Sequence, residues 1–449
     1  MTKQLTDLAE KTVKVAERLG AEQAEVYIGS TRSFSIDVEN NAIKSAAERR
    51  DAGCGIRCVF GKKIGFAYVT TLNGDDIENA LRRSISLAKA SVADPDFVSL
   101  PGPESRYPVV KDLFDKGVEG LTADEAADLI AGCLDAAKEP LHGRKYAIQA
   151  DLSTSSGSRA IANSLGVSQS AESTSITMYS EVTIKEQADQ TSSYEYLVSR
   201  ALREINPEWI GRTASENALR NLGAKTIEGG DMSVIMTPLA VSTVVGSGFA
   251  DAVNAEEVQQ GRSYISDAIG SEVASDELHI VDDGLLKGGV GSRAFDAEGA
   301  LSQRTQVLKR GVLRSLLHSS YTANKDRVPN TGNASRPSYA GIPMIATTNF
   351  VIEPRRGMLE DLVSEVKKGV LCMNTFDRPN MTTGDLSAMV SEGFYIEDGE
   401  LRQGVKSTLI GINMRDLLKR VIRVGADTRA TGRMVTPSIV IDSAKITSG

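Results

Sequence analysis

The chain has 449 residues, 41% apolar and 24% charged, enough to bury more than one core. Its 51 Lys and Arg stand against 59 Asp and Glu, a net charge of −8 without the basic run that nucleic-acid binding needs. No apolar run approaches the ~18 residues of a membrane-spanning helix, and Cys54, Cys58, Cys133 and Cys372 make neither a disulfide framework nor a Cys-x2-Cys pair, so a reduced, cytoplasmic chain is expected.

From the N-terminus, Leu5, Leu8, Val13 and Leu19 recur at helical spacing, and Gly20 ends that helix. The segment is amphipathic, mixed in charge and lacks the apolar core of a secretory signal. Strand-like runs follow at 24–28, 33–38, 42–47, 53–60 and 64–70, with turns at Asn40-Asn41 and Gly61-Lys62-Lys63. Cys54 and Cys58 share a strand face but have no neighbouring His or Cys to complete a four-ligand metal site. A helix over 75–91 completes the unit, and Pro95, Pro101, Pro103 and Pro108 mark a linker. The pattern then recurs. Thr122 and Glu125 form a capping box for a helix that ends before Pro140. Strands are expected at 146–153, 158–163, 167–185 and 192–197, and Pro207 starts a helix that stops before Gly223. Two helix–meander–helix units followed by a strand-rich remainder predict an α+β fold. The expected domains are 1–110, 111–227 and a larger β-rich domain over 228–449.

The third region opens with a strand at 233–236 and a helix begun by Thr237-Pro238. Leu239, Val241, Val244, Val245, Phe249 and Val253 give that helix a packing face, weakened by Gly246 and Gly248. A glycine-rich stretch over 282–336 follows. It holds Asp282-Asp283-Gly284, then Gly291-x3-Phe295-Asp296-x-Glu298-Gly299, a hairpin turning at Arg310-Gly311, and Thr331-Gly332-Asn333-x2-Arg336. A helix over 359–368 is expected to end at Gly369, before a long loop bearing Asn374, Pro379, Thr383, Gly384 and Asp385. Strands at 389–391 and 393–397, a turn at Glu397-Asp398-Gly399 and a buried strand at 437–441 close the chain. The three histidines, His142, His279 and His318, do not lie within a helical turn of one another. Neither Gly246-Ser247-Gly248 nor Gly288-Gly289-Val290-Gly291 leads into the Lys-Ser/Thr of a phosphate loop. His318-Ser319-Ser320 lacks the Gly-x-Ser-x-Gly elbow of a serine hydrolase.

The motifs within 282–336 resemble the TldD/PmbA metallopeptidase family. Asp51-Ala52-Gly53-x-Gly55-Ile56-Arg57, Gly65-Phe66-Ala67, Asn163-Ser164-Leu165-Gly166-Val167 and Thr383-Gly384-Asp385 extend the likeness. In that family, TldD-type subunits carry His-Glu-x3-His on the helix equivalent to 239–257, and the PmbA or TldE type does not. The helix here contains no histidine, so the resemblance is to the PmbA/TldE type. It implies a subunit with no catalytic residue and no metal ligand of its own, zinc being expected only in a TldD-like partner. It further implies a chamber shared with that paralogue, or with a second copy of this chain, in which small unfolded peptides are processed. The loop at 374–385 would touch substrate or partner; neither nucleic acid nor membrane is an expected partner. The competing readings are an autonomous peptidase with an unrecognised site and a non-enzymatic binding protein, as the older family name, modulator of DNA gyrase, suggests.

Overall fold

Alternating polar and apolar residues build the N-terminal half into long strands. The computed structural model describes residues 2–186 and 189–449. Helix α1 (Thr2–Arg18) is followed by β1 (Gln23–Glu39), β2 (Ala42–Phe60), β3 (Lys63–Val69) and α2 (Gly74–Ala90). After the linker come α3 (Lys116–Gly120), α4 (Ala123–Lys138), β4 (Lys145–Asn163), β5 (Ser168–Glu186), β6 (Asp189–Ser199) and α5 (Pro207–Arg220). Among the described residues these strands form one antiparallel sheet in the order β3-β2-β1-β4-β5-β6, three strands from each unit.

The segments expected as five short strands before residue 70 are three. Residues 29–32, polar enough to resemble a turn, pair with 50–53 of β2 on one side and 156–159 of β4 on the other. Pairing on both edges satisfies their backbone groups, so no turn is needed. The turn at Asn40-Asn41 stands as expected, both residues having positive φ (51° and 69°). Val26, Ile28, Ile56, Ile148 and Met178 point toward the helices, and Leu81, Ile130 and Ile210 meet them there. The opposite face carries small polar side chains and is left partly open.

In the C-terminal region β7 (Gly230–Met236) lies parallel to Lys368–Asn374 and antiparallel to Ile439–Ser448. Their central paired segments, 234–236, 370–372 and 439–441, are continuously apolar because both of their faces are covered. The expected helix over 359–368 is shorter, Leu359–Ser364. Gly369 does not end it but sits inside the strand, where an added Cβ would lie 2.7 Å from the Ser233 carbonyl oxygen. A second sheet runs from Val312–Leu313 through Arg304–Lys309, Ile280–Asp283 and Phe350–Ile352 to Met434–Thr436 and Arg429–Thr431. Its hairpin turns at Arg310 and Gly311, with φ of 50° and 74°, where the sequence places it.

The glycine-rich stretch joins the two halves. Arg57 of β2 donates to Glu25 of β1 at 2.7 Å and to Glu298 at 3.0 Å, while Arg336 also pairs with Glu25. Glu298 accepts further bonds from the Ser320 backbone N–H at 3.0 Å and its hydroxyl at 2.6 Å. Asp296 ties its own loop by accepting from the backbone of Glu298, Ala300 and Ala334 at 2.8–3.1 Å. Asp282 accepts from Thr348 and from the Asn333 amide. The acidic and amide residues of the motif therefore hold loops and clamp the N-terminal sheet to the C-terminal region. Gly291 belongs to the same architecture, since a Cβ there would meet the Thr348 carbonyl oxygen at 2.0 Å.

Candidate functional site

The helix entered through Thr237-Pro238 is in three pieces. An α-helical turn (Pro238–Val241) passes into a π-helical segment (Ser242–Ser247) and back to α-helix (Gly248–Ala252). The run Thr243-Val244-Val245 stacks β-branched residues that fit poorly in an ordinary turn. The wider turn is reinforced by the Ser247 hydroxyl, which donates to the Ser242 carbonyl at 3.1 Å. Segments of this kind concentrate at functional sites. Asn254 then caps a short separate helix, Ala255–Gln259, by accepting from the Glu256 N–H at 2.9 Å.

This broken helix forms one wall of a crevice of about 210 Å³. Ser247, Asp251 and Asn254 supply polar groups from the helix side, facing Leu317, Ile345, Met434 and Arg378. Burial pushes the Asp251 carboxyl above its usual range, and Arg378 partly opposes that shift. The crevice thus presents one carboxylate, one guanidinium, a hydroxyl and an amide, a set suited to orienting a polar chain.

The loop expected at 374–385 meets this helix through Pro379. Pro379 packs on Gly248 so closely that a Cβ there would fall 2.6 Å from the proline ring. Thr383, Gly384 and Asp385 form the far end of the loop. Gly384 has φ of 82° and accepts from the Met414 N–H at 2.7 Å. The Asp385 carboxylate accepts from the Asn413 side-chain amide at 2.9 Å rather than from backbone N–H, and that bond holds it below the usual carboxylate range. Asn374 sits elsewhere. It is buried at the end of Lys368–Asn374 and accepts from the Tyr194 hydroxyl of β6 at 3.0 Å. Asp385 likewise begins a strand, Asp385–Met389, so the irregular segment is shorter than 374–385.

Three residues that sequence reasoning passed over shape the site. Asn380 accepts from the Thr382 and Thr383 N–H groups at 2.9 and 3.0 Å and bonds through its backbone to Gly384 and Asp385. Pro-Asn-x-Thr-Thr was the available signal, because Asn after Pro commonly closes such a turn. Phe376 is 70% exposed yet stacks on Tyr194 at 5.7 Å. Arg378 reaches the crevice. No sequence periodicity marked either of these two. Of the histidines, His318 is buried and lies 3.3 Å from the Thr322 hydroxyl, and His279 lies 3.5 Å from Glu353.

Models of the three domains of the PmbA/TldA metallopeptidases match residues 24–88 (domain 1), 116–222 (central domain) and 229–448 (C-terminal domain). A metalloprotease PmbA homolog of Haemophilus influenzae is 26% identical, over 97% of this chain and 94% of that protein. Two solved structures share the fold. TldE of Thermococcus kodakarensis gives a TM-score of 0.89 at 22% identity, covering 98% of this chain and 100% of that one. A candidate modulator of a DNA gyrase from Thermotoga maritima gives 0.90 at 23%, covering 98% and 99%. With the family's domains matched in order along nearly its whole length, the chain belongs to the PmbA/TldD metallopeptidase family.

Proposed function

We propose that this chain is the non-catalytic, PmbA/TldE-type subunit of a metallopeptidase complex that processes small unfolded peptides, paired with a zinc-bearing TldD-like paralogue. The observation that carries this reading is the donor set on the broken helix. Where TldD-type members of the family have His-Glu-x3-His, the helix over 239–257 offers the carboxylates of Asp251, Glu256 and Glu257 and no imidazole. Zinc in peptidases takes nitrogen, sulfur and carboxylate ligands in threes and fours. Among the described residues no group of three or more His, Cys, Asp or Glu is placed to hold a metal ion. The residues present do not fit a peptidase zinc, so no hydrolytic step is assigned to them. The role left to the crevice and its loop is to receive and orient a peptide.

Co-expression with a His-Glu-x3-His paralogue tests the reading by native mass spectrometry, elemental analysis and a peptide-cleavage assay. The expected outcome is a mixed dimer that cleaves peptide, with zinc in the paralogue and well under one zinc per chain in this protein alone. Stoichiometric zinc or cleavage by this chain alone would overturn it, as would full activity of the paralogue in its absence. Within the active complex, Asp385→Ala should reduce cleavage by roughly two- to fivefold through a loosened loop end. The variant's thermal unfolding should stay close to that of the parent, because the Asp385 carboxylate lies at the surface. Unchanged kinetics would make the loop end structural only.

A further inference from the structure

Four arginines converge where the open face of the N-terminal sheet meets the C-terminal region. Arg159 lies on β4, Arg200 directly follows β6, Arg293 is in the glycine-rich stretch and Arg433 precedes Met434–Thr436. Among the described residues none of the four reaches a carboxylate at ion-pair distance; their hydrogen bonds go to backbone carbonyls. Arg159 donates to Phe295 at 3.2 Å, Arg293 to Gly332 at 3.2 Å and Arg433 to Thr347 at 3.2 Å. Arg200 donates to Thr174 at 2.9 Å, to Gly289 at 3.3 Å and to Val290. Arg293 is 7% exposed, and its Nε is buried without a partner.

Elsewhere in the same junction charge is matched closely, as the Glu25–Arg57–Glu298 clamp shows. Here it is not. The nearest acids, Asp282 and Asp296, already accept from Thr348, Asn333 and backbone N–H groups. Burial pushes both toward the neutral form, Asp296 further through repulsion by Glu298. Burial, with repulsion from Arg159 and Arg433, brings Arg200 and Arg293 down to about 10. Grouped guanidiniums lacking a counter-charge are costly unless an anion completes them.

The surroundings indicate which anion. Arg159 borders a cavity of about 400 Å³ that runs over Gly29, Thr31, Gly157 and Ser173 of the open sheet face. The same face carries the directly paired Asp37 and Asp151 further along β1 and β4. Asp151 is eight residues before Arg159, ~26 Å at the rise of a strand. The cavity is also lined by Arg49, Asp51 and Arg336, so charges of both signs are spread along a floor of small polar side chains, which suits an extended zwitterionic chain better than a compact ion. We propose that Arg159, Arg200, Arg293 and Arg433 form an oxyanion site that holds the C-terminal carboxylate of a bound peptide. Arg159 and Arg433 contact the ligand, and the more enclosed Arg200 and Arg293 add to the positive potential there. The proposal rests on the peptide-handling reading above and names the end of the peptide that is recognised.

Fluorescence anisotropy of the full-length chain tests it. The probe is a Gly/Ser/Ala decapeptide with an N-terminal rhodamine, prepared as the free acid and as the C-terminal amide, with inorganic phosphate as competitor. The acid is expected to bind about tenfold tighter than the amide, and phosphate to displace it. Arg433→Gln, at an exposed position, and Arg159→Gln should each weaken the acid about tenfold and leave the amide unchanged, with circular dichroism confirming their folds. Equal binding of acid and amide, no peptide binding, or an unaffected Arg433→Gln would overturn the proposal. Phosphate binding that the acid peptide does not compete would assign the site to a free oxyanion instead. Cleavage by the complex is scored separately, so the subunit role can stand when the carboxylate site fails.

Discussion

Arg57→Met should lower the unfolding free energy by about 3–5 kcal/mol, the cost of breaking a buried charge network by removing one partner. Glu25 has no exposed surface and Glu298 is 2% exposed, and both bond the same guanidinium nitrogen. Methionine fills much of the volume but leaves Glu298 with only Ser320 and Glu25 with only Arg336. Arg57 and Glu25 belong to the N-terminal sheet and Glu298 and Arg336 to the C-terminal region, so the substitution should also separate their unfolding. Urea denaturation followed by near-UV circular dichroism is expected to show one transition in the parent and two in the variant. A loss below about 1 kcal/mol with a single transition would show that apolar packing, not the ion network, unites the halves.

Glu392→Gln should reshape the pH dependence of stability. Glu392 begins the strand Glu392–Glu397 and is 6% exposed; one carboxyl oxygen accepts from the Ser193 hydroxyl at 2.7 Å, and the other has no partner. Burial, with the nearby Glu195 charge, pushes this carboxyl up to about 7. The folded chain therefore keeps a proton that the unfolded chain releases near its ordinary carboxylate range. Below that range both states are protonated and the group is neutral to stability. As pH rises toward 7 the unfolded state is increasingly favoured, and above the folded pKa the penalty is complete. The amide never ionises. Parent and variant should thus match near pH 4, and the variant should lead by about 3 kcal/mol at pH 8. Chemical denaturation across that range checks it; a constant offset would mean that Glu392 is already charged in the fold. Asp296, raised for the same reason, is present in both proteins and cancels in the difference.

Features set by a few neighbouring residues were legible in the sequence. The Thr122–Glu125 capping box, the Pro207 helix start, and the turns at Asn40-Asn41, Arg310-Gly311 and Asp398-Gly399 all form as the residue types require. Each depends on a local hydrogen bond or a positive φ, and both are encoded within a handful of positions. The loop at 374–385 could be located too, but not its footing on Gly248 or its closure by Asn380. The tertiary structure alone decided the rest. Continuity of β1 through 29–32 depends on β4, which lies over a hundred residues away. Gly369 reads as a helix stop until Ser233 is placed beside it, and Glu298 and Arg336 are only members of a motif until Arg57 and Glu25 reach them. Whether an arginine is paired is likewise a property of what folds around it. Burial and charge balance are sums over distant segments, so no local window of sequence contains them.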